Sequence, residues 1–388
     1  MFQRATSTYQ ISNVLVFSCF VAWNTLGCFF TRVLLSKRFE VSRVKHRPTI
    51  RDVALKAGLS LSTVSLVINN RGNVSPETRA SVLKVIHELS YHPTRSARGL
   101  ASKTSGNIGF IVSEEHFSQA EPFYTRIFLG TEFEARGHNY YILLTTVGNQ
   151  FDPDKYVPRF LLERNVDGII VAGKVNDRLI SYMDSLGLPI VLLDYEMKKT
   201  DHSAVLIDNW RGATLAVEHL LGLGHRKIAF LGGDMHHPSI SERHEAYRSA
   251  LEQAGVSPEK VYEITKNEGT SIEGGASAAQ MLLASGATPT AIFAANDAMA
   301  IGCMRHLKSL GMRIPQDVAV VGFDDIEMSS HIEPDLTTIR VLKEELGKIA
   351  VQRIVDIINT KTKTIVTTRV PVELIIRGST VDSSREDD

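Results

Sequence analysis

The chain contains few cysteines. Its 388 residues include three cysteines, Cys19, Cys28 and Cys303, and their spacing is that of neither a disulfide framework nor a metal site. This usage fits a reduced, cytoplasmic compartment, and Cys303 is expected in a buried helix. With 43% hydrophobic residues the chain can form a substantial core, and its length suggests two or three domains.

Motifs of common enzymes and of metal sites are also missing. The sequence has no GxSxG elbow, no GxxxxGK(S/T) loop and no GxGxxG after its first apolar strand. His236, His237 and His244 lack an acidic or cysteine partner at ligand spacing. We therefore expect no enzyme, no bound metal and no cofactor.

Neither sign of charge is in excess overall, because 43 basic residues balance 43 acidic ones. The distribution is uneven, however. Residues 37–103 contain 13 Lys and Arg against 4 Asp and Glu, whereas residues 105–388 contain 28 basic and 39 acidic residues. A basic segment can neutralise phosphates, and an acidic remainder limits nonspecific adhesion, so the charges favour a nucleic-acid-binding N-terminal region.

That region begins with the signals of a short, capped helix. Thr49 is a favourable N-cap, and Asp52 lies three residues on, near the positive end of the helix dipole. The pattern predicts a helix over Ile50–Ala57. Gly58 supplies the tight turn that ends it.

Two further helices are predicted directly after this turn. Ser60 caps a second helix that ends near Asn69, and Ser75 with Pro76 opens a third. Helix, glycine turn and helix form a helix-turn-helix, whose second helix reads base edges. The side chains expected in its core are Val53, Ala54, Val64, Val67, Val82, Ile86 and Leu89.

This region resembles the DNA-binding head of the LacI/GalR family of bacterial transcription regulators. The matching residues are Ile50, Asp52, Val53, Ala54, Ala57, Gly58, Ser60, Thr63, Val64, Ser65, Asn69, Val74, Glu77, Thr78, Arg79, Ala97 and Arg98. The resemblance implies an all-α helix-turn-helix domain at 47–93 in a sequence-specific repressor that pairs as a homodimer on a palindromic operator. The alternative is a three-helix bundle that only packs against the rest of the chain.

The resemblance also implies which residues contact DNA. The set expected to read bases or bind phosphates in the head is Arg51, Leu61, Ser62, Thr63, Ser65, Leu66, Asn69, Arg71 and Arg79. Leu61, Ser62 and Leu66 occupy the outward, specificity-carrying positions of the second helix. The two leucines are restricted to apolar contacts, such as with a thymine methyl, and the arginines supply affinity.

Residues 94–104 are basic and contain Gly99, so an isolated helix there would be marginal. The matching segment in the family folds into a hinge helix on the operator. On that pattern Arg98 contacts DNA and Leu100 wedges into the minor groove. The alternative is a plain linker with a buried leucine.

Residues 1–46 have no counterpart in this resemblance. Ile11 to Leu35 is apolar, interrupted by polar residues and without an acidic one, which is compatible with a signal peptide or membrane anchor. Export would separate a DNA-binding head from DNA, so secretion is excluded and an anchor stays open. We favour an upstream extension from a misplaced start, with the true start at a non-AUG codon such as Val41 or Val44. Residues 1–46 are then dispensable for DNA binding.

From Ser105 onward, short apolar strands alternate with helical stretches such as Tyr156–Arg164 and Asn209–Leu223. This alternation predicts parallel sheets covered on both faces. The resemblance extends over Val166–Gly173, Leu206–Gly233, Phe293–Gly302, Ile314–Asp325 and Pro334–Ile339. It implies a periplasmic-binding-protein-like α/β body at 105–380 of two doubly wound subdomains, 105–207 with 316–343 and 208–315 with 344–380. Residues 381–388 are expected to be a disordered tail.

Polar and aromatic residues at strand ends and in the following loops and helices match effector contacts in the family. They are Phe123, Tyr124, Asp194, Tyr195, Ser239, Arg243, Asn296 and Asp297. Ligands bind beyond the carboxyl ends of parallel strands. Carboxylates with a fixed guanidinium can hold hydroxyls while an aromatic ring stacks on a sugar face, so a carbohydrate effector is favoured.

Simpler roles exist for several of these side chains. Asp297 could cap the following helix, Arg243 could lie on the surface, and Phe123 or Tyr124 could be core residues. Gly269 stands where purine-binding relatives carry a stacking aromatic residue, which argues against a purine. A sugar-binding transport protein shares the fold of the body and is the alternative function, but the helix-turn-helix decides against it.

Overall fold

The structure is a computed structural model of the 388-residue chain. It describes residues 48–68, 72–91, 104–114, 123–148, 151–152, 155–197, 201–233, 235–265, 269–362 and 364–381. The N-terminal extension, Asn69, Arg71, the hinge residues Arg98 and Leu100, and the tail after residue 381 lie outside these ranges. The chain divides into two units, Met1–Thr94 and Arg95–Asp388, which are described separately.

The first unit contains the three helices predicted from its caps, α1 (Ile50–Ala57), α2 (Leu61–Ile68) and α3 (Pro76–Glu88). Thr49 and Asp52 cap each other's backbone in a capping box, and Gly58 ends α1 with a φ of 64°. Ser60 Oγ accepts from the Thr63 amide at 3.1 Å, and Ser75 accepts from the Thr78 amide at 3.2 Å. Local signals therefore set each helix boundary here.

The core of this unit is almost entirely aliphatic. Its buried residues are Val53, Ala54, Val64, Val67, Val82, Val85 and Tyr91. Ile86 and Leu89, which were expected in this core, are only partly buried and lie at its edge. Val64 and Val67 are three residues apart, so α2 turns one face inward and leaves the other exposed.

The second unit contains two six-stranded sheets, which confirms the two-sheet α/β body. The first sheet is built from β1 (Asn107–Ser113), β2 (Tyr141–Val147), β3 (Gly168–Ala172), β4 (Ile190–Leu193), β5 (Ser203–Ile207) and β11 (Thr367–Val370). Its spatial order is β11-β5-β4-β3-β1-β2, and every pairing is parallel.

The second sheet repeats this doubly wound arrangement. It consists of β6 (Ile228–Leu231), β7 (Glu263–Ile264), β8 (Ala291–Ala294), β9 (Ala319–Asp324), β10 (Thr337–Val341) and β12 (Val372–Ile375), in the order β12-β10-β9-β8-β6-β7. The edge strand β12 is antiparallel to β10, so this sheet is mixed rather than purely parallel as expected.

Helices cover the faces of both sheets. In chain order they are α4 (Phe123–Gly137), α5 (Arg159–Leu162), α6 (Asp177–Ser185), α7 (Asn209–Gly222), α8 (Pro238–Gln253), α9 (Ile272–Ala284), α10 (Asp297–Ser309) and α11 (Lys343–Thr360), with 3-10 turns at Lys260–Tyr262 and Glu327–Ser330. Cys303 is buried in α10, as expected. The helix expected over Tyr156–Arg164 is reduced to the single turn α5, which follows Pro158.

The predicted division of the body into subdomains is wrong in its C-terminal half. Residues 319–341 form β9 and β10 of the second sheet, whereas α11 packs on α4, β3, β4 and β5 of the first. The chain crosses between subdomains at Asp208, Leu342 and Pro371. The first subdomain therefore comprises residues 104–207 and 343–370, and the second comprises 208–342 and 372–381.

Glycine permits close contact between α4 and α11. An ideal Cβ added at Gly130 would lie 2.1 Å from the carbonyl oxygen of Glu344, and one at Gly347 would lie 2.2 Å from that of Ile127. Both neighbouring atoms belong to backbones within helices, so neither yields without a shift of the whole helix. The two helices therefore pack only if both positions lack a side chain.

We predict that Gly130→Ala lowers the free energy of unfolding by about 3 kcal/mol, the upper range for overpacking. Gly137→Ala is the matched control, because a Cβ there meets no atom within 4 Å at the end of the same helix. Urea unfolding followed by far-UV circular dichroism measures both. Equal stability of the two variants would contradict the close-contact argument.

Candidate functional site

The outward face of α2 carries the side chains that were predicted to read bases. Leu61 is 45% exposed and Leu66 is 41% exposed, and Ser62 is exposed as well. Thr63 and Ser65 are half-buried. Removing large aliphatic side chains from water lowers the free energy. Two exposed leucines on one short helix therefore form an apolar contact surface.

The hydroxyls at the start of α2 are held by one another. Ser60 Oγ lies 2.7 Å from Ser62 Oγ and 2.9 Å from Thr63 Oγ1. Arg51 is exposed on α1, and Arg79 is half-buried on α3. The structure thus places the predicted head residues that it describes on the recognition helix or on the helices beside it.

A cleft between the two subdomains of the body brings together most of the predicted effector residues. Its lining comprises Phe123, Tyr124, Asp194, His237, Ser239, Ile240, Arg243, Thr270, Asn296 and Asp324. Six of the eight predicted residues are in this set. His237, Ile240, Thr270 and Asp324 were not predicted.

Asp194 connects the two walls of the cleft. It follows β4 with a φ of 53° and is buried. Its Oδ2 accepts from the Tyr124 hydroxyl at 2.9 Å in the first subdomain, and its Oδ1 accepts from the Ser239 hydroxyl at 3.1 Å in the second. Burial and the nearby Asp194 carboxylate raise the pKa of Tyr124 well above its usual value, so this phenol remains a proton donor.

Arg243 is a buried residue of the cleft and not a surface residue of α8. Its Nε donates to Asn209 Oδ1 at 2.8 Å and its Nη1 donates to the Ala295 carbonyl at 2.6 Å. The guanidinium lies 3.6 Å from the ring centroid of Phe323. These contacts fix the plane of the guanidinium.

Asp324 is the main charged lining residue that was not predicted from the sequence. It ends β9, and its Oδ1 lies 3.7 Å from Nη2 of Arg243. Among the described residues, that oxygen has no hydrogen-bond partner. Burial raises the pKa of Asp324 to about 8, although Arg243 opposes the shift. The signal was present in the sequence, because two aspartates follow the apolar run VAVVGF at a strand end.

Asn296 and Asp297 are adjacent but have different roles. Asn296 lines the cleft, caps α10 by accepting from the Met299 amide at 2.9 Å, and donates to the Thr270 carbonyl at 2.9 Å. Asp297, which was expected to contact the effector, is fully buried and is not among the lining residues. Its Oδ2 accepts from the Ile326 amide and its Oδ1 accepts from the Thr338 hydroxyl.

Tyr195 was also expected to contact the effector, and the structure places it elsewhere. Its ring is buried in the separate core cluster of the first subdomain, and its hydroxyl lies 3.4 Å from Asp177 Oδ1. Phe123, by contrast, lines the cleft and contacts the Tyr124 ring edge-on at 5.1 Å. It offers the aromatic surface that the sequence predicted.

Two family models match the chain. Residues 49–94 match the model described as "Bacterial regulatory proteins, lacI family", and residues 217–380 match "Periplasmic binding protein-like domain". The first match covers the three helices of the head, and the second covers most of the second subdomain together with α11 and β11. No described helix combines the length and the apolarity that membrane crossing requires.

Relatives match over nearly the whole chain. The HTH-type transcriptional repressor PurR of Edwardsiella ictaluri is 32% identical over 86% of this chain and 97% of its own. Among solved structures, a lac repressor dimer bound to operator and the anti-inducer ONPF is 30% identical, with a TM-score of 0.75 over 86% of this chain and 99% of that one. A complex of the transcriptional regulator CelR with cellobiose is 32% identical, with a TM-score of 0.67 over 86% and 100%. These relatives are regulators by name and not enzymes.

The buried carboxyl of Asp297 predicts a pH dependence of stability. Burial raises the pKa of Asp297 from 3.8 to about 6, so between these values the folded protein binds more protons than the unfolded chain. Stability is then lost as pH rises through this window. The loss is at most about 3 kcal/mol, since one pKa unit corresponds to about 1.4 kcal/mol.

We predict that Asp297→Asn gains stability relative to the unmodified protein as pH rises from 4 to 7. The amide cannot ionise and still accepts from the Ile326 amide. Urea unfolding at half-unit pH steps measures the difference, with Asp184→Asn as an exposed control. A constant difference across this pH range would refute the assignment.

Proposed function

The chain belongs to the lacI family of bacterial regulatory proteins and is a DNA-binding transcription regulator; we propose that it is a repressor whose operator affinity a small-molecule effector controls. The observation that carries this proposal is the double hydrogen bonding of Asp194. Its carboxylate accepts from Tyr124 in one subdomain and from Ser239 in the other. A ligand at this point contacts both walls and changes the balance between open and closed clefts.

The chemistry of the lining favours a neutral sugar. Asp194 is an acceptor, the Asp324 carboxyl with its raised pKa can donate or accept, and Arg243 is a fixed donor, a combination that binds several hydroxyls at once. Phe123 offers an aromatic face for the apolar side of a sugar ring. Gly269 has no ring to stack on a purine, and a similar regulator has been solved with cellobiose.

We further propose a cytoplasmic homodimer associated with the nucleoid. One recognition helix reads few base pairs, so two-fold pairing on a palindromic operator supplies the specificity. An apolar face suited to pairing lies on α4, where Phe133 is 61% exposed. Leu129, one turn earlier on the same helix, continues this face.

Leu66→Arg is predicted to change the preferred operator sequence. An arginine at this position can donate to guanine O6 and N7, which a leucine cannot, and one bidentate contact discriminates by about 1 to 3 kcal/mol. The measurement is a selection from randomised palindromes. Leu83→Arg is the matched control, since it adds the same charge at a 52% exposed leucine on α3. An identical preferred site for Leu66→Arg and the unmodified protein would refute the assignment.

Asp324→Asn and Arg243→Lys are predicted to weaken sugar binding at least tenfold, because the first replaces the carboxyl group and the second keeps the charge but removes the planar fork of donors. Operator affinity without sugar should remain. Calorimetry measures ligand binding by each variant. The compounds are D-ribose, D-glucose, D-galactose, cellobiose and, as a purine, hypoxanthine. Asp317→Asn, which changes a surface ion pair with Arg313, and Tyr195→Phe are the controls. Tight binding of hypoxanthine alone would overturn the carbohydrate assignment.

A further inference from the structure

A buried lysine ammonium lies directly behind the cleft. Lys343 is 7% exposed and is the first residue of α11. Its Nζ donates to the carbonyl oxygen of Asp324 by a short contact, to that of Asp325 at 3.2 Å and to that of Val341 at 3.4 Å. Three backbone carbonyls thus converge on one cation, as they would on a bound metal ion.

The helix that carries Lys343 gives no reason for a cation at this position. A helix N-terminus is the positive end of the macrodipole, so a lysine there is unfavourable for α11 itself. The next two residues, Glu344 and Glu345, are acidic as the dipole prefers. A buried ammonium is retained only where hydrogen bonds replace its hydration, and the three carbonyls supply them.

The carbonyls belong to a strained turn at the end of β9. Asp324 has a φ of 114° and Asp325 a φ of 52°, conformations that non-glycine residues rarely adopt and that require support from their surroundings. The Ile326 amide donates to Asp297, and the Asp325 carboxylate accepts from Arg340 Nε at 2.7 Å and from Arg377 Nη2 at 2.6 Å. These contacts hold the turn through the Ile326 amide and the Asp325 carboxylate.

The side chain of Asp324 does not take part in these contacts. Asp324 lines the cleft, and among the described residues Oδ1 of Asp324 has no hydrogen-bond partner. Across the cleft, the Phe123 ring centroid lies 5.9 Å from Lys343 Nζ. Lys343 therefore lies between one residue of each wall and contributes to neither surface.

We propose that Lys343 is a positioning residue of the effector site: its ammonium takes the place of a cation in a cage of three carbonyls and holds the 324–326 turn so that the Asp324 carboxylate faces the ligand. The inference rests on the proposed function in naming the ligand site. The carbonyl cage itself does not depend on that function and can be tested without any sugar.

The first test is chemical rescue of Lys343→Ala in the full chain. Removing the side chain leaves the carbonyls and the space for a small cation. Methylammonium chloride should raise the Tm of this variant by several degrees more than sodium chloride at equal ionic strength does. Tetramethylammonium, which has no N–H donor, should have no such effect. The unmodified protein and Lys348→Ala, a half-exposed lysine paired with Glu345 on the same helix, should not respond. Absence of a methylammonium effect would overturn the cage.

The second test asks whether Lys343 acts through Asp324. Affinity for the five compounds of the panel above is measured for Lys343→Ala, Asp324→Asn and the double variant. If the lysine only positions Asp324, each single change weakens binding at least tenfold and the double variant binds within twofold of Asp324→Asn. Methylammonium should restore affinity to Lys343→Ala but not to the double variant. Multiplicative losses would overturn the positioning role.

Two outcomes separate this inference from the proposed function. If the unmodified protein binds no compound of the panel, the carbohydrate proposal fails while the methylammonium test still decides the cage. If Lys343→Ala does not fold in sodium chloride, expression in methylammonium should recover folded protein, and Lys343→Met supplies a variant that keeps the apolar stem. Sugar binding by Lys343→Met equal to that of the unmodified protein would again overturn the positioning role.

Discussion

The burial of one guanidinium determines how the cleft is built. Arg243 is 5% exposed, and a charge removed from water to that extent is tolerated only if its donors are satisfied. Asn209 and the Ala295 carbonyl accept two of its hydrogen bonds, and the Phe323 ring covers one face. The remaining nitrogen faces Asp324 at 3.7 Å, beyond hydrogen-bond distance. The protein therefore holds the guanidinium rigidly and leaves its third nitrogen able to donate to a ligand.

The head was predictable because its signals are local. A capping box at Thr49 and Asp52, a glycine with positive φ at residue 58 and a Ser-Pro start at residue 75 each fix a helix end within one turn of chain. The division of the body was not predictable, because an alternation of strands and helices does not tell which sheet a strand joins. A single residue, Pro371, separates β11 in one sheet from β12 in the other, and proline lacks the N–H that would continue a ladder.

The differences between the predicted effector residues and the lining of the cleft have a common physical cause. The rule that ligands bind at the carboxyl ends of strands identified the correct edge of both sheets. The rule does not tell which of two neighbours enters the cleft, however, because the chain leaves the extended conformation there: Asp194 and Asp324 have positive φ, and Asp297 begins a helix. Asp194 enters the cleft and Tyr195 does not; Asn296 enters and Asp297 does not. In the third such pair, Asp324 and Asp325, the first again faces the cleft; the sequence marks the pair at a strand end but does not tell which aspartate enters.

The contacts across the cleft also indicate where ligand control originates. The ion pairs that join the subdomains, such as Arg369 with Glu242 and Arg126 with Glu327, involve side chains exposed by a quarter or more and contribute little to closure. The buried contact between Ser239 and Asp194 is worth more, since it is shielded from water. A sugar hydroxyl competes for this same carboxylate, so binding replaces a buried closing contact instead of adding to it. The response to the effector is then set by the difference between its affinities for the closed and open clefts. Its affinity for either state alone does not set it.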